Sequence, residues 1–315
     1  MRDDAVAGVE PQQIESPGRG RPSGSAPVRD DVEAKARTGA GGERGAAPGR
    51  HGLPGALVWL LPLPLLLLLA LPVVALVWRG IADGDGFTPE GDAILRQALG
   101  LSLATSAVST GAIVLFGTPL AFALARKRFP GARAVDLLID LPIVLPPSVA
   151  GIALLLAFGR FGLVGSWLNA AGITIGFTTA AVVLAQSFVA APFYVRAAAG
   201  AFRRIDRDLE IAAANLGASP WRTLRSVTLP LALPSLLAGA VLAWARALGE
   251  FGATIMFAGS FPGVTRTMPL AIYGQYSGGD LDVALILSLV LLGLSVVVLL
   301  VARWLGGRKE TWWSG

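Results

Sequence analysis

The stretch Glu210–Pro230, EIAAANLGASPWRTLRSVTLP, is polar and helix-forming, yet it lies between two segments apolar enough to cross a membrane. The runs on either side, Thr178–Val195 and Leu231–Ala258, are each compatible with the roughly 20 residues a helix needs to span the hydrocarbon core. A loop of this kind is suited to serve as a handle for another protein. Ser219 followed by Pro220 marks a helix restart inside it, with the serine as cap and the proline at the first helical position. The competing reading is an amphipathic helix lying on the bilayer, for which Trp221 and the neighbouring arginines are suitable residues.

Outward from this loop the chain resolves into six apolar runs: Leu53–Trp78, Gln97–Ala125, Leu137–Phe158, Thr178–Val195, Leu231–Ala258 and Val283–Ala302. Hydrophobic residues make up 54% of the chain and charged residues 15%, with a mean hydropathy of +0.64, a composition of integral membrane proteins. Unpaired backbone groups are not tolerated in lipid and no strand-like alternation is visible, so the runs must be helices. The expected fold class is therefore all-α integral membrane with six transmembrane helices. Arg126, Lys127, Arg128 and Arg133 flank one loop, Arg203, Arg204, Arg207, Arg222 and Arg225 another, and Arg303, Arg308 and Lys309 the C-terminal end. The positive-inside rule places these segments in the cytoplasm, together with both termini. The opposite loops carry Asp83, Asp85, Glu90, Asp92, Asp280 and Asp282, while Arg79, Arg160 and Arg266 weaken the contrast without reversing it.

Several functions are excluded by what the sequence lacks. There is no cysteine, and the single histidine, His51, lies outside every apolar run, so thiolate chemistry and histidine-based metal sites or triads have no residues to work with. No metal site and no catalytic residue is expected. The basic residues behind the pI of 10.2 sit in short clusters beside apolar runs, which reads as topology and not as a nucleic-acid surface. No Gly-x-x-x-x-Gly-Lys-Ser/Thr loop occurs, so ATP must be bound elsewhere if it is used at all. Residues 1–52 are rich in Gly, Pro, Ala and charge without apolar periodicity and read as a disordered cytoplasmic tail. The domain plan is thus tail 1–52, membrane domain 53–306 with the polar segment at about 207–230, and a cytoplasmic end at 307–315.

Within the runs, Arg246 and Glu250 form the one ionisable pair near the middle of a span. Charges at that depth face protein or water, and at i and i+4 they share a helix face. They either fix the packing of two helices or line a gate. Gly249, Gly252 and Gly259 surround them and either allow close packing or leave room for a cavity. Pro119, Pro142, Pro146, Pro147, Pro192 and Pro234 are kink sites. Gln186, Ser187, Tyr194, Ser102, Thr105, Ser106, Ser109 and Thr110 hydrogen-bond between helices or line a wet path. Residues 260–267, SFPGVTRT, form a turn rich in hydroxyls with a single cation, suited to an oxyanion or a docked protein, or simply a surface loop.

In the opening stretch, Ala212, Ala213, Gly217, Val227, Leu229 and Pro230 fall in register with the coupling segment of ABC importer permeases. That pattern runs Glu-Ala-Ala, three residues, Gly, nine residues, an aliphatic residue, any residue, Leu-Pro; its first position here is Ile211, with the glutamate one step earlier at Glu210. LPIVLPPSVAGIALLLAFGR (141–160), VLAQSFVAAPFYVR (183–196) and ARALGEFGATIMFAG (245–259) followed by TRTMPLAIY (265–273) resemble the molybdate/tungstate branch of that class. The resemblance covers the chain from first run to last and leaves out the tail. It implies the six-helix type I importer permease fold, also called MetI-like, in a bacterial cell membrane. It implies a homodimer with the pore on its axis, two ABC ATPase subunits holding ATP and Mg, and an extracytoplasmic molybdate-binding protein. No cofactor would be bound by this chain itself, and lipid would surround it. Glu210, Ala212, Ala213, Gly217, Ser219, Pro220, Leu229 and Pro230 would then couple to the ATPase, and Arg246, Glu250, Gly249 and Gly252 would be pore or gate candidates. Sulfate or thiosulfate is the alternative cargo. An intramembrane enzyme using Glu250 or Asp140, and a membrane scaffold, are the readings from other classes.

Overall fold

The computed structural model describes residues 61–82, 88–126 and 129–306. The tail, the first part of the first run and the segment 307–315 lie outside the described residues. The described chain consists of helices and turns. α1 is Leu63–Ala82, α2 Pro89–Arg126, α3 Ala132–Val144, α4 Pro147–Phe158, α5 Gly165–Ala170, α6 Thr179–Arg204, α7 Arg207–Asn215 and α8 Pro220–Thr223. A π-helical turn, Leu224–Thr228, leads into α9, Leu229–Leu248, followed by α10 Gly252–Ala258, α11 Met268–Ser277 and α12 Leu281–Gly306.

Among the described residues five helices are long and apolar enough to cross a membrane: Leu63–Ala82, Pro89–Arg126, Thr179–Arg204, Pro220–Leu248 and Leu281–Trp304. The other expected span, residues 137–158, is two shorter helices, α3 and α4. The break has a local cause. Proline disfavours the helical region for the residue before it, and in the tandem Pro146–Pro147 this acts twice in succession. Leu145 takes ψ 131° and Pro146 ψ 136°. Single prolines inside helices, Pro72, Pro119, Pro142, Pro192 and Pro234, do not end theirs. The expected span 231–258 is also divided, at Gly249–Phe251, into α9 and α10.

The core is formed where α2, α6 and α9 pack on one another. Ala121, Ala190, Ala198, Ala243 and Ala247 are fully buried there around Tyr194 and Phe202. Small residues are needed because the helices approach closely: a Cβ on Gly239 would stand 2.9 Å from that of Ala197. A polar seam runs through this apolar interior. Ser106 accepts from Trp244 Nε1 at 2.9 Å, Ser109 donates to Gln186 Oε1 at 3.1 Å, Thr118 and Tyr194 share a hydrogen bond of 2.6 Å, and Ser102 accepts the Met268 N–H at 2.7 Å. Ser102, Ser106, Ser109 and Thr118 thus tie helices together, the three serines without residual exposure, whereas Thr105 bonds back to Leu101 O of its own helix at 2.8 Å and Thr110 Oγ1 is buried with no partner among the described residues. Helix α1 packs on α12, with Gly80 against Leu289, and buries no residue of its own.

Candidate functional site: a braced polar segment and a junction of broken helices

The polar segment begins at Asp206, whose carboxylate accepts the Asp208 N–H at 3.0 Å and caps α7. α7 ends in a Schellman arrangement: the Ala218 N–H bonds to Ala213 O at 3.0 Å and the Gly217 N–H to Ala214 O at 2.9 Å. Gly217 takes φ +82° to close it, and a Cβ there would meet nothing within 4 Å. Backbone conformation, not crowding within the chain, is therefore what requires glycine at 217. Ser219 then caps α8 through the Arg222 N–H at 3.4 Å, with Pro220 at the first helical position.

Glu210, displaced by one residue from the pattern, faces inward. Its Oε1 receives Arg126, from the end of α2, and the Thr228 hydroxyl at 3.0 Å, from the turn that leads into α9. Arg126 is 9% exposed and lies over the Phe122 ring. One carboxylate thus braces α7 against two long helices. The outer surface is apolar: Ile211 and Trp221 are exposed, and Leu216 is 90% exposed at the tip. Ala212 and Pro230 are exposed, while Ala213 and Leu229 are half-buried.

The second cluster lies where the two divided spans meet, with Gly252 seated against Pro147. Glu250 is 1% exposed. One of its oxygens accepts the Ala253 N–H at 2.8 Å, which caps α10, and the other holds Arg246 Nη1 at 2.7 Å. Gly249 follows the last turn of α9 with φ −86°, and a Cβ there would find only Ala245 O at 3.7 Å. A cavity of about 130 Å³ opens beside the pair, bordered by Pro142, Leu145, Pro147, Ala150, Phe193 and Arg246.

A third arrangement escaped the sequence reading. Arg196 of α6 forms a two-pronged ion pair with Asp140, Nε to Oδ1 at 2.7 Å and Nη2 to Oδ2 at 2.6 Å, and also reaches Asp136 Oδ1 at 2.6 Å and Asp136 O at 2.8 Å. The signal was one carboxylate, Asp140, inside an apolar run, with Asp136 at i−4 and Arg196 each at the edge of a run. This clamp fastens α3, which buries none of its own residues, to the bundle. It also occupies Asp140, while Glu250 is spent on Arg246 and a helix cap, so neither carboxylate is poised as an acid or base. Among the described residues no group of three His, Cys, Asp or Glu side chains could hold a metal ion. The turn at 260–267 bonds mainly within itself, Thr265 Oγ1 accepting the Phe261 N–H at 2.9 Å.

Residues 113–311 match the family described as binding-protein-dependent transport system inner membrane component. The chain is 51% identical over 236 residues, 73% of its own length and 87% of the relative's, to the molybdenum transport system permease protein ModB of Mycobacterium tuberculosis. It is 38% identical over 258 residues, 81% of its length and 90% of the relative's, to the sulfate transport system permease protein CysW of Synechococcus elongatus. Its fold resembles a chain in the crystal structure of a bacterial ABC transporter that imports the acidic polysaccharide alginate. There the TM-score is 0.60 and the identity 19%, with 81% of this chain and 96% of that one covered.

Proposed function

Because the chain belongs to the family of binding-protein-dependent transport system inner membrane components, we propose that it is the membrane-spanning subunit of an ATP-driven importer of molybdate or tungstate. The observation that carries the cargo assignment is the gap in identity, 51% to a molybdenum permease against 38% to a sulfate permease. The family is one of permeases, and ATP hydrolysis belongs to separate ATPase subunits.

In this reading two copies of the chain enclose the pore and two ATPase subunits, holding ATP and Mg, dock on the segment 207–230. An extracytoplasmic binding protein delivers the ion. Leu216 and Trp221 supply an apolar knob that a partner can bury, and the arginines around the segment support its cytoplasmic placement. Movement of α7 reaches the bundle through Glu210, which grips the ends of two long helices at once. Glu210, Ala212, Ala213, Gly217, Ser219, Pro220, Leu229 and Pro230 form or shape that docking surface, and Arg246, Glu250, Gly249 and Gly252 belong to the gate.

The test is ATP-dependent uptake in vesicles holding this chain with its cognate ATPase and binding protein, with molybdate, tungstate and sulfate at equal concentration. Molybdate and tungstate uptake that resists excess sulfate is expected. Sulfate uptake would transfer the chain to the sister cargo, and no uptake of any oxyanion would refute the importer reading.

A further inference from the structure

We propose that the cavity between α3, α4, α6 and α9 is a transit site for a tetrahedral oxyanion, with Arg246 as its cation and Glu250 as the resident counter-charge. The inference rests on the importer reading and adds to it a ligand site and a mechanism of release.

Both divided spans break at the same place. Gly252 lies against Pro147, which joins the two breaks, and the space beside them is walled by the end of α3, the start of α4, Val189 and Phe193 of α6, and Arg246 near the end of α9. Discontinuous membrane helices leave unpaired backbone polar groups, which are tolerated only where they are buried in protein or line a cavity. The space measures about 130 Å³, well above the roughly 10–15 Å³ that a single water needs. The larger space along Val73, Val77 and Trp78 of α1, about 550 Å³, is bordered by apolar side chains and offers an ion nothing.

The two partners of the ion pair are held unequally. Glu250 is almost fully buried and fixed twice, by the Ala253 N–H and by Arg246. Arg246 is 31% exposed, borders the cavity, and has Glu250 as its acceptor through Nη1; its Nε and Nη2 meet no protein acceptor among the described residues. The guanidinium can therefore offer a planar pair of donors to oxygens in the cavity while its carboxylate partner stays in place. A dianion arriving there binds a cation already half-neutralised. Glu250 weakens its hold, and that keeps a waypoint from becoming a trap.

The experiment compares equilibrium binding of radiolabelled tungstate to the assembled transporter in nanodiscs, without binding protein, with uptake in vesicles. E250Q keeps the acceptor for the Ala253 N–H and frees Arg246 of its counter-charge. It is expected to bind tungstate at least roughly tenfold more tightly and to release it more slowly, so that uptake falls. R246Q alone leaves a buried carboxylate uncompensated, so the informative partner is the double variant R246Q/E250Q, which leaves no charge behind. It should bind no measurable tungstate and import poorly at normal membrane abundance, and R246K should retain weakened binding. Wild-type binding and uptake in the double variant, or an unchanged affinity in E250Q, would overturn the site while leaving the importer reading intact. Absence of oxyanion uptake by the unaltered transporter would overturn both.

Discussion

Replacing Glu210 with glutamine should loosen the polar segment without touching its outer surface. The side chain keeps its length and an acceptor for Thr228, but the charge-assisted bond to Arg126 becomes a neutral one. Arg126 is 9% exposed, so it recovers little solvation when its partner is neutralised, whereas Glu210 itself is 23% exposed and softens the effect. The expected loss is about 2 kcal/mol, or roughly a 30-fold rise in the opening equilibrium of α7. Hydrogen exchange of backbone amides in residues 207–216, measured on the permease in nanodiscs without ATPase, reads that opening directly. T228V removes the neutral bond alone and should raise exchange roughly fivefold, for about 1 kcal/mol. Unchanged protection in E210Q, together with loss of ATPase binding, would refute the reasoning: the carboxylate would then serve the partner and not the brace.

G217A should weaken α7 by roughly 1–2 kcal/mol, because φ +82° is strained for alanine. G217W should cost the isolated permease no more, since the space around it is open, yet should block co-purification of the ATPase; equal association of the two variants counts against docking at 217. R196A removes four hydrogen bonds and leaves Asp136 and Asp140 facing each other, which should lower stability by roughly 2–3 kcal/mol after allowance for their partial exposure. R196K should regain less than half of that in a thermal melt, because an ammonium cannot span both oxygens of Asp140. G252A should cost about 1–3 kcal/mol by forcing a methyl into Pro147; an unaltered melting temperature would mean that the two breaks do not interlock as described.

What the sequence made legible, and what it did not, follows the range of the interactions. Helix caps at Ser219 and the proline after it depend on neighbouring residues, and the structure has them as read. The break at 145–147 was equally local, but it needed the combined effect of two prolines to be distinguished from a kink. Single prolines at 119, 192 and 234 carry the same symbol and sit inside unbroken helices. The break at Gly249–Phe251 was masked because the sequence is apolar on both sides of the Arg246–Glu250 pair, so hydropathy reads a single span. Arg246 and Glu250 pair as their spacing suggested, but the second duty of Glu250, capping α10, becomes visible only once the helix is known to stop. Arg196 and its two aspartates are separated by more than fifty residues, and no periodicity links them. Glu210 illustrates a different limit: the sequence shows only that it stands one step off the pattern, and the fold uses the shifted carboxylate as an internal tie.

Helix α1 touches the bundle through α12 and buries none of its own side chains. Away from Gly80, where a Cβ would collide with Leu289, selection on such an element acts on greasiness and length far more than on shape. Its leucines should therefore be interchangeable with isoleucine, valine or phenylalanine, and it should be the span that diverges fastest between related proteins. For an engineer it is a mooring line: a place to fuse a reporter, swap in a foreign anchor or tether the transporter to a surface without disturbing the machine behind it.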